Sequence, residues 1–180
     1  MSRLPHAVRA NFPPDEQGIF DELEGRGTRV IDIHLLLANA PNVAHPLLQV
    51  TQQLRVSRDL PANLRELAIV HTLQLNEAEY EGTRHVKTAL AVGVRREQLQ
   101  RLAEFETADC FSELEKAVLR LASELHVPPL TVSEPTWRAL KQALSDRALT
   151  ELLLAIGMYH LGSRFERAVE LTIEPWYEKP

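Results

Sequence analysis

The sequence is poor in cysteine, and this scarcity excludes several kinds of chemistry. Cys110 is the single cysteine among 180 residues. One cysteine cannot form an intramolecular disulfide, and it cannot supply the Cys-x-x-Cys pair on which dithiol redox enzymes depend. A fold stabilised by intramolecular disulfides and a redox site built on neighbouring thiols are therefore both excluded.

The sequence also lacks the features by which proteins bind nucleic acids, cross membranes or enter the secretory pathway. Asp and Glu number 25 against 20 Lys and Arg, and no basic stripe follows a predicted helix, which argues against a nucleic-acid partner. The longest apolar run, residues 152–161, contains a histidine and is too short to span a bilayer. Residues 1–16 contain no apolar segment typical of a signal peptide. We therefore expect a cytoplasmic protein with no nucleic-acid or membrane partner.

Patterns typical of β-strands are absent as well. No run of residues alternates between apolar and polar with period two, and there is no Asn-Gly or Asp-Gly turn. Apolar residues instead recur at helical spacing, which predicts an all-α fold: a single-domain helical bundle of about eight helices over residues 18–180. Residues 1–17 contain three prolines and little periodicity, so we expect an irregular N-terminal arm.

Proline and capping residues predict where several helices begin and end. Pro41 is expected to interrupt one helix, and Pro46 is expected to lie in the first turn of the next. Ser112, followed three residues later by Glu115, has the spacing of a capping box. Ser133 is expected to cap the N-terminus of a further helix.

Ionisable side chains fall at helical spacing inside one otherwise apolar stretch, residues 64–93. Glu81 and His85 are four residues apart and share one face of a helix. Glu66 lies on the preceding helix and would approach that face if the two helices pack side by side in opposite directions. Two carboxylates and an imidazole between helices form the candidate site. The alternatives are a Glu66 that complements the helix dipole, a His85 that packs in the core, and a Glu81 exposed to solvent.

Other catalytic and ligand-binding signatures are missing. The sequence has no nucleophile elbow, no phosphate-binding loop and no zinc motif. Glu66, His71, Glu81 and His85 carry groups that can bind a metal, but their spacing matches no metal motif. We therefore expect neither a metal nor another cofactor.

The stretch over residues 60–102, LPANLRELAIVHTLQLNEAEYEGTRHVKTALAVGVRREQLQRL, resembles the carboxymuconolactone decarboxylase family, which also contains the alkylhydroperoxidase D-like proteins. Residues 19–48 and 151–175 support the resemblance. It implies an all-helical fold that assembles as a homotrimer or homohexamer, with a pocket near the contacts between subunits.

The resemblance also implies which residues carry the site. The peroxidase branch of the family has a Cys-x-x-Cys-x-x-x-His motif with a glutamate twelve residues before the first cysteine. In this sequence Glu66 and His85 match the glutamate and the histidine, whereas Ala78 and Glu81 stand in place of the cysteines. Since Cys110 lies far from the motif, peroxide reduction through a thiolate is not expected.

The expected function is that of a cofactor-independent lyase that moves protons on a small carboxylated or lactone compound. His85 is the predicted general acid and base, Glu81 is predicted to orient it, and Glu66 is predicted to relay protons. Three further side chains are predicted to bind the substrate: Arg84, His71 and Tyr80. Arg84 would bind a substrate carboxylate through two hydrogen bonds, or it is an exposed residue paired with a nearby glutamate. Two alternatives remain: a peroxidase of the alkylhydroperoxidase type, and a non-catalytic oligomeric binding protein.

Overall fold

Nine α-helices make up the described part of the chain, residues 2–180 of a computed structural model, and no β-strand occurs among those residues. The prediction of an all-α bundle is confirmed, with one helix more than the approximate number expected. The helices are α1 (Gly18–Gly25), α2 (Asp32–Leu37), α3 (Pro41–Val56), α4 (Ala62–Leu75), α5 (Glu79–Ala91), α6 (Arg96–Gln100), α7 (Glu113–Glu124), α8 (Glu134–Ala143) and α9 (Asp146–Ala168).

Helix α4 lies at the centre of the bundle and packs against α5, α7 and α9. Every residue from Leu64 to Leu73 is buried, including two charged residues, Arg65 and Glu66. A helix that is enclosed on all sides is apolar around most of its circumference, and its buried polar groups need partners within the protein. The buried polar groups of α4 therefore find their partners within the protein, on the elements that surround this helix.

Helices α4 and α5 form a hairpin whose connection is only three residues long. Glu77 in this connection has a φ of 53°, and the backbone N–H of Ala78 donates to the carbonyl of Leu73 at 2.9 Å. A short connection reverses the chain, so the start of α4 lies beside the later turns of α5. The hairpin thereby brings Glu66 and His85 together, as the sequence predicts.

Helix α9, 23 residues long, covers a second side of α4. Ala155 and Ile156 are buried on its inner face, whereas Leu154 and Leu161 are exposed on its outer face. None of the helices within residues 2–180 combines the length and the apolar character that crossing a membrane requires.

Two predicted N-caps are confirmed. The Ser112 hydroxyl accepts from the backbone N–H of Glu115 at 3.3 Å, and the Glu115 carboxylate accepts from the backbone N–H of Ser112 at 2.8 Å. The Ser133 hydroxyl accepts from the backbone N–H of Thr136 at 3.5 Å at the start of α8. These bonds satisfy N–H groups that the first turn of a helix leaves without partners.

The prediction for the region around Pro41 is wrong in one respect. Helix α3 begins at Pro41 itself and contains Pro46 in its interior, so it starts before the predicted turn. Proline is favoured at the first position of a helix because that residue needs no N–H donor and its φ is already helical. Pro41 therefore both ends the preceding segment and begins α3.

Residues 2–17 lie against their own chain. They contain two 3₁₀ turns, Arg9–Asn11 and Pro14–Glu16. The backbone N–H of Arg3 donates to the carbonyl of Val169 at 2.8 Å, and that of Ala7 donates to the carbonyl of Leu35 at 3.0 Å. These bonds hold the segment beside the end of α9 and the middle of α2.

Candidate active site

A cavity of about 300 Å³ opens among helices α2, α3, α5 and α9. Apolar side chains such as Leu37, Leu48 and Phe165 form part of its wall. Glu81 and His85 line it from α5, so polar groups of the predicted site meet an apolar space. A concave, largely apolar space with a few convergent polar groups is the usual form of a small-molecule site.

His85 stands between this cavity and the protein core. Its residue is 3 % exposed, and its Nδ1 lies 2.7 Å from Oε2 of Glu66, which is fully buried. An ionised carboxylate can only accept, so Nδ1 carries the proton in this bond. In the neutral imidazole Nε2 is then the basic nitrogen.

Glu66 remains ionised because the imidazole of His85 and the guanidinium of Arg65 lie beside its carboxylate. Burial by itself would raise the pKa of Glu66, but the hydrogen bond and charge of His85 and the charge of Arg65 outweigh it and lower that pKa. Nε of Arg65 lies 3.2 Å from Oε1 of Glu66, and Nη1 of Arg65 donates to the carbonyl of Leu54 at 3.2 Å. Arg65, Glu66 and His85 therefore form a connected buried chain that ends at the cavity.

Glu81 contacts the imidazole from the other side. Its Oε2 lies 3.8 Å from Nε2 of His85, which is too long for a hydrogen bond, and its side chain is 16 % exposed. The sequence predicted that Glu81 orients His85 and that Glu66 relays protons. The geometry gives the orienting bond to Glu66, because only that carboxylate is within hydrogen-bond distance.

Arg84 also lines the cavity, but its guanidinium is already engaged. It pairs with the carboxylate of Glu174 and lies over three aromatic rings, 4.7 Å from the centre of Tyr80, 4.3 Å from that of Tyr177 and 5.7 Å from that of Trp176. Its Nε is buried without a hydrogen-bond partner among the described residues. The side chain fastens α5 to the C-terminal segment, and this position gives little support to its predicted role as the carboxylate-binding residue.

Tyr80 lies outside the cavity. Its hydroxyl donates to Oε1 of Glu174 at 2.6 Å, and burial together with this bond raises the pKa of Tyr80. Its backbone N–H and that of Glu81 donate to the carboxylate of Glu166 at 3.3 and 3.1 Å, at the first turn of α5. The position of Tyr80 therefore supports a structural role rather than the predicted contact with substrate.

His71 likewise points away from the cavity. Its Nε2 lies 2.9 Å from the hydroxyl of Ser123 on α7, and its ring packs edge-on against Phe105 with 5.3 Å between ring centres. Nδ1 of His71 is buried without a partner in the described chain. A substrate in the cavity beside His85 does not reach this imidazole.

The buried His71 makes stability depend on pH. Burial, with a smaller contribution from His126, lowers the pKa of His71 to about 4 from its ordinary 6.5. The unfolded chain therefore binds a proton before the folded chain does, and stability falls as the pH drops from about 6.5 to about 4, by about 2–3 kcal/mol.

We expect His71→Gln to reduce that pH dependence. The free energy of unfolding, measured in urea at pH 7.5 and at pH 4.5, falls less between the two conditions in the variant than in the wild type. Because each protein is compared with itself, any packing that the substitution costs at both pH values cancels. An equal fall in both proteins would contradict the assignment.

Tyr159 is a cavity residue that the sequence did not indicate. Its ring meets that of His85 edge to face, with 4.6 Å between ring centres. Burial raises the pKa of Tyr159, and the charge of Glu81 adds to this effect, so the phenol stays protonated. The neighbouring His160 instead bonds to Asn76 at 2.9 Å. Tyr159 and His160 are adjacent on α9 but contact different parts of the protein, the cavity and Asn76.

His34 and Arg55 are two further cavity residues that the sequence did not indicate. Burial lowers the pKa of His34 to about 4, and the charges of Arg26, Arg55 and Arg84 act in the same direction, while Glu174 opposes them. This side of the cavity is therefore positively charged around a neutral imidazole. No motif in the sequence marks these residues, since they lie on separate helices.

Neither a thiol nor a cluster of metal ligands contributes to the cavity. Cys110 is buried in an apolar cluster with residues such as Leu67, Val70 and Phe111, and it does not line the cavity. Within residues 2–180 no three His, Cys, Asp or Glu side chains converge as metal ligands do. The groups that face the cavity can exchange protons and bind anions.

Comparison with known protein families gives one match. Residues 41–124 match the sequence profile of the Carboxymuconolactone decarboxylase family. This segment contains the five helices α3 to α7, and hence Glu66 and His85. No curated protein sequence shows significant similarity to the chain.

Solved structures share the whole fold at low sequence identity. An alkylhydroperoxidase core, an uncharacterized peroxidase-related protein from Ralstonia eutropha JMP134, is 20 % identical with a TM-score of 0.78, and the match covers 97 % of this chain and 93 % of that one. A cysteine-to-alanine variant of the debrominase Bmp8, in complex with 2,3,4-tribromopyrrole, is 19 % identical with a TM-score of 0.78, covering 97 % and 94 %. A peroxidase-related protein from Silicibacter sp. TM1040 is 17 % identical with a TM-score of 0.76, covering 98 % and 93 %.

Proposed function

We propose that the chain is a lyase that works by proton transfer, without a cofactor or a thiol, because residues 41–124 match the carboxymuconolactone decarboxylase family and the fold is alkylhydroperoxidase D-like. Its substrate is a small carboxylated or lactone compound, and His85 is its general acid and base.

One observation carries this proposal: the buried Glu66–His85 pair beside the cavity. The 2.7 Å bond to an ionised, fully buried carboxylate fixes the imidazole ring and its tautomer. A base that is held in one orientation avoids the cost of ordering it during the reaction. Nε2 is then the atom that gives a proton to the substrate or takes one from it.

The reaction that fits this arrangement is decarboxylation next to a conjugated lactone. The bond between the ring carbon and the carboxylate breaks, CO₂ leaves, and the electron pair passes into the lactone as a dienolate. Protonated His85 then gives its proton to a carbon of the dienolate, and water restores that proton. The phenol of Tyr159 is a neutral donor that can stabilise negative charge on the dienolate oxygen.

The size of the cavity suits such a substrate. A volume of about 300 Å³ accommodates one small ring with its substituents. In the same fold, the debrominase variant binds 2,3,4-tribromopyrrole, which is also a small substituted ring. The apolar part of the wall would exclude water from the dienolate.

A peroxidase function is the second candidate, favoured by the peroxidase-related neighbours. It requires a nucleophilic sulfur, and the positions of the family's cysteine pair carry Ala78 and Glu81 here. Cys110 is 7 % exposed within an apolar cluster and does not line the cavity. A peroxidase activity of this chain would therefore need thiols from another protein.

The deciding experiment measures CO₂ release from γ-carboxymuconolactone and from a panel of small cyclic carboxylic acids and lactones. We expect release from at least one compound, at equal rates for the wild type and for Cys110→Ala. Consumption of hydrogen peroxide with dithiothreitol as reductant is measured on the same two proteins. Peroxide consumption by the wild type without CO₂ release would replace the lyase by the peroxidase, and Cys110→Ala shows whether the thiol comes from Cys110 or from the added dithiothreitol. The absence of both activities would favour a non-catalytic binding protein.

A homotrimeric or homohexameric assembly is part of the proposal. The apolar residues Val43 and Val50 on α3, and Leu154 and Leu161 on α9, are exposed at 42 % or more, and these two helices pack against each other. An exposed apolar face of this kind suits a contact between copies of the chain. Light scattering after size-exclusion chromatography measures the assembly.

The cytoplasmic location stays a prediction.

A further inference from the structure

Two neighbouring spaces share one wall. Besides the cavity next to His85, a groove of about 490 Å³ runs along the connection between α1 and α2. The residues that line both spaces are Arg26, Ile31, His34, Gln52 and Arg55. Two of these five side chains, Arg26 and Arg55, carry a permanent positive charge, which favours an anion in either space.

The cations around the cavity differ in how far their charge is compensated. Arg26 lies 2.5 Å from the carboxylate of Glu22, and Arg84 pairs with Glu174. Arg55 has no acidic side chain within 4 Å in residues 2–180, although it lines the cavity. An unpaired guanidinium beside a cavity retains its donors for a ligand, and its planar shape matches a carboxylate.

His34 adds a second group that responds to an anion. It faces cations from three directions, Arg26 after α1, Arg55 on α3 and Arg84 on α5, with Glu174 of the C-terminal segment opposing them. Burial, together with these positive charges, lowers the pKa of His34 and keeps its imidazole neutral near pH 7. A carboxylate bound beside it reverses the local charge and favours the imidazolium, which then donates to that carboxylate.

We propose that His34 and Arg55, with Arg26 beside them, form an anion subsite that binds a carboxylate group of the substrate at the shared wall and takes up a proton as it does so. The nature of the substrate rests on the proposed function, whereas the subsite is defined by binding alone. Arg84, which the sequence indicated for this task, instead fastens α5 to Glu174.

Isothermal titration calorimetry with benzoate tests the subsite, and benzamide serves as a neutral ligand of the same shape. Titrations at pH 5.5 in buffers of different ionisation enthalpy give the number of protons taken up on binding. We expect benzoate to bind with proton uptake, and benzamide to bind at least about tenfold more weakly. Arg55→Gln is expected to weaken benzoate about 10- to 100-fold, and His34→Gln to abolish the proton uptake.

Arg58→Gln is the matched control, because Arg58 is exposed, lies close to Arg55 in sequence and does not line the cavity. The two substitutions change the net charge of the protein by the same amount. It should bind benzoate like the wild type. Equal weakening by both arginine variants would overturn the proposal, since a general positive field would then explain binding. Benzoate binding that is weaker than about 10 mM, or binding without proton uptake, would overturn it as well.

The two proposals fail separately. If Arg55→Gln binds benzoate normally while turnover depends on His85, only the subsite is wrong. If Arg55→Gln weakens benzoate while turnover does not depend on His85, only the proposed chemistry is wrong. A role of Arg55 limited to the C-terminal dipole of α3 predicts a change in stability and none in benzoate binding.

Discussion

Replacing His85 with glutamine is expected to lower kcat for CO₂ release about 10²- to 10⁴-fold. The glutamine amide can still donate to the buried carboxylate of Glu66, so the packing of α4 against α5 is largely kept. The amide cannot take up or release a proton at the cavity. The loss therefore falls on the chemical step, with a much smaller change in KM. Steady-state kinetics on the substrate identified by CO₂ release measures both constants.

Chemical rescue separates a catalytic His85 from a structural one. His85→Ala leaves a space beside Glu66 and the cavity, and added imidazole can occupy it and restore proton transfer. We expect the rate of His85→Ala to rise with imidazole concentration, whereas the rate of His85→Gln, in which the space is filled, does not rise. His6→Gln changes a partly exposed histidine outside the cavity and should keep the wild-type rate. Full activity in His85→Gln would remove His85 from the mechanism.

The contact between Glu66 and His85 was predictable because it depends on local spacing and one short connection. Both residues lie in strongly helical segments, and a connection of three residues leaves little choice but an antiparallel hairpin. The sequence did not reveal that Arg65 and Glu66 are both buried, since first-turn charges are usually exposed. Burial followed from packing on every side of α4.

The two substrate contacts that find no support share one geometric cause. His71 follows Glu66 by five residues, and Tyr80 precedes His85 by five residues. Five residues rotate a helix by about 140° from the starting face, so each side chain leaves its helix well away from the direction of Glu66 or His85. Glu81, four residues before His85, satisfies the same test and does line the cavity.

The remaining cavity residues were beyond the reach of local patterns. His34, Arg55 and Tyr159 lie on three different helices, and each is separated from its neighbours in the chain by many residues. Their convergence depends on how α2, α3 and α9 pack around α5, which no spacing rule encodes. The ion pair between Arg84 and Glu174 could not be predicted from local patterns either, because Glu174 follows Arg84 by 90 residues.

Replacing Glu66 with glutamine is expected to lower the free energy of unfolding by about 3–5 kcal/mol. Arg65 is 4 % exposed, and without Glu66 its buried charge retains only the carbonyl of Leu54 among the bonds described above. An isolated charge in an apolar interior costs several kcal/mol, which glutamine cannot offset. Urea denaturation at pH 7.5 measures the loss. Glu178→Gln, which alters an exposed carboxylate, should stay within about 0.5 kcal/mol of the wild type.

A double variant shows whether the uncompensated charge of Arg65 is the cause. Arg65→Met combined with Glu66→Gln removes both charges, so it is expected to be more stable than Glu66→Gln alone by at least about 1 kcal/mol.

The effect of Glu66→Gln also depends on pH. Because the folded pKa of Glu66 is lowered, its contribution is complete above the ordinary pKa of 4.5 and is lost as the pH falls through the folded value. The difference between the wild type and Glu66→Gln should therefore narrow in acid. A constant difference at every pH, with no recovery in the double variant, would mean that Glu66 stabilises the core through its shape and not through its charge.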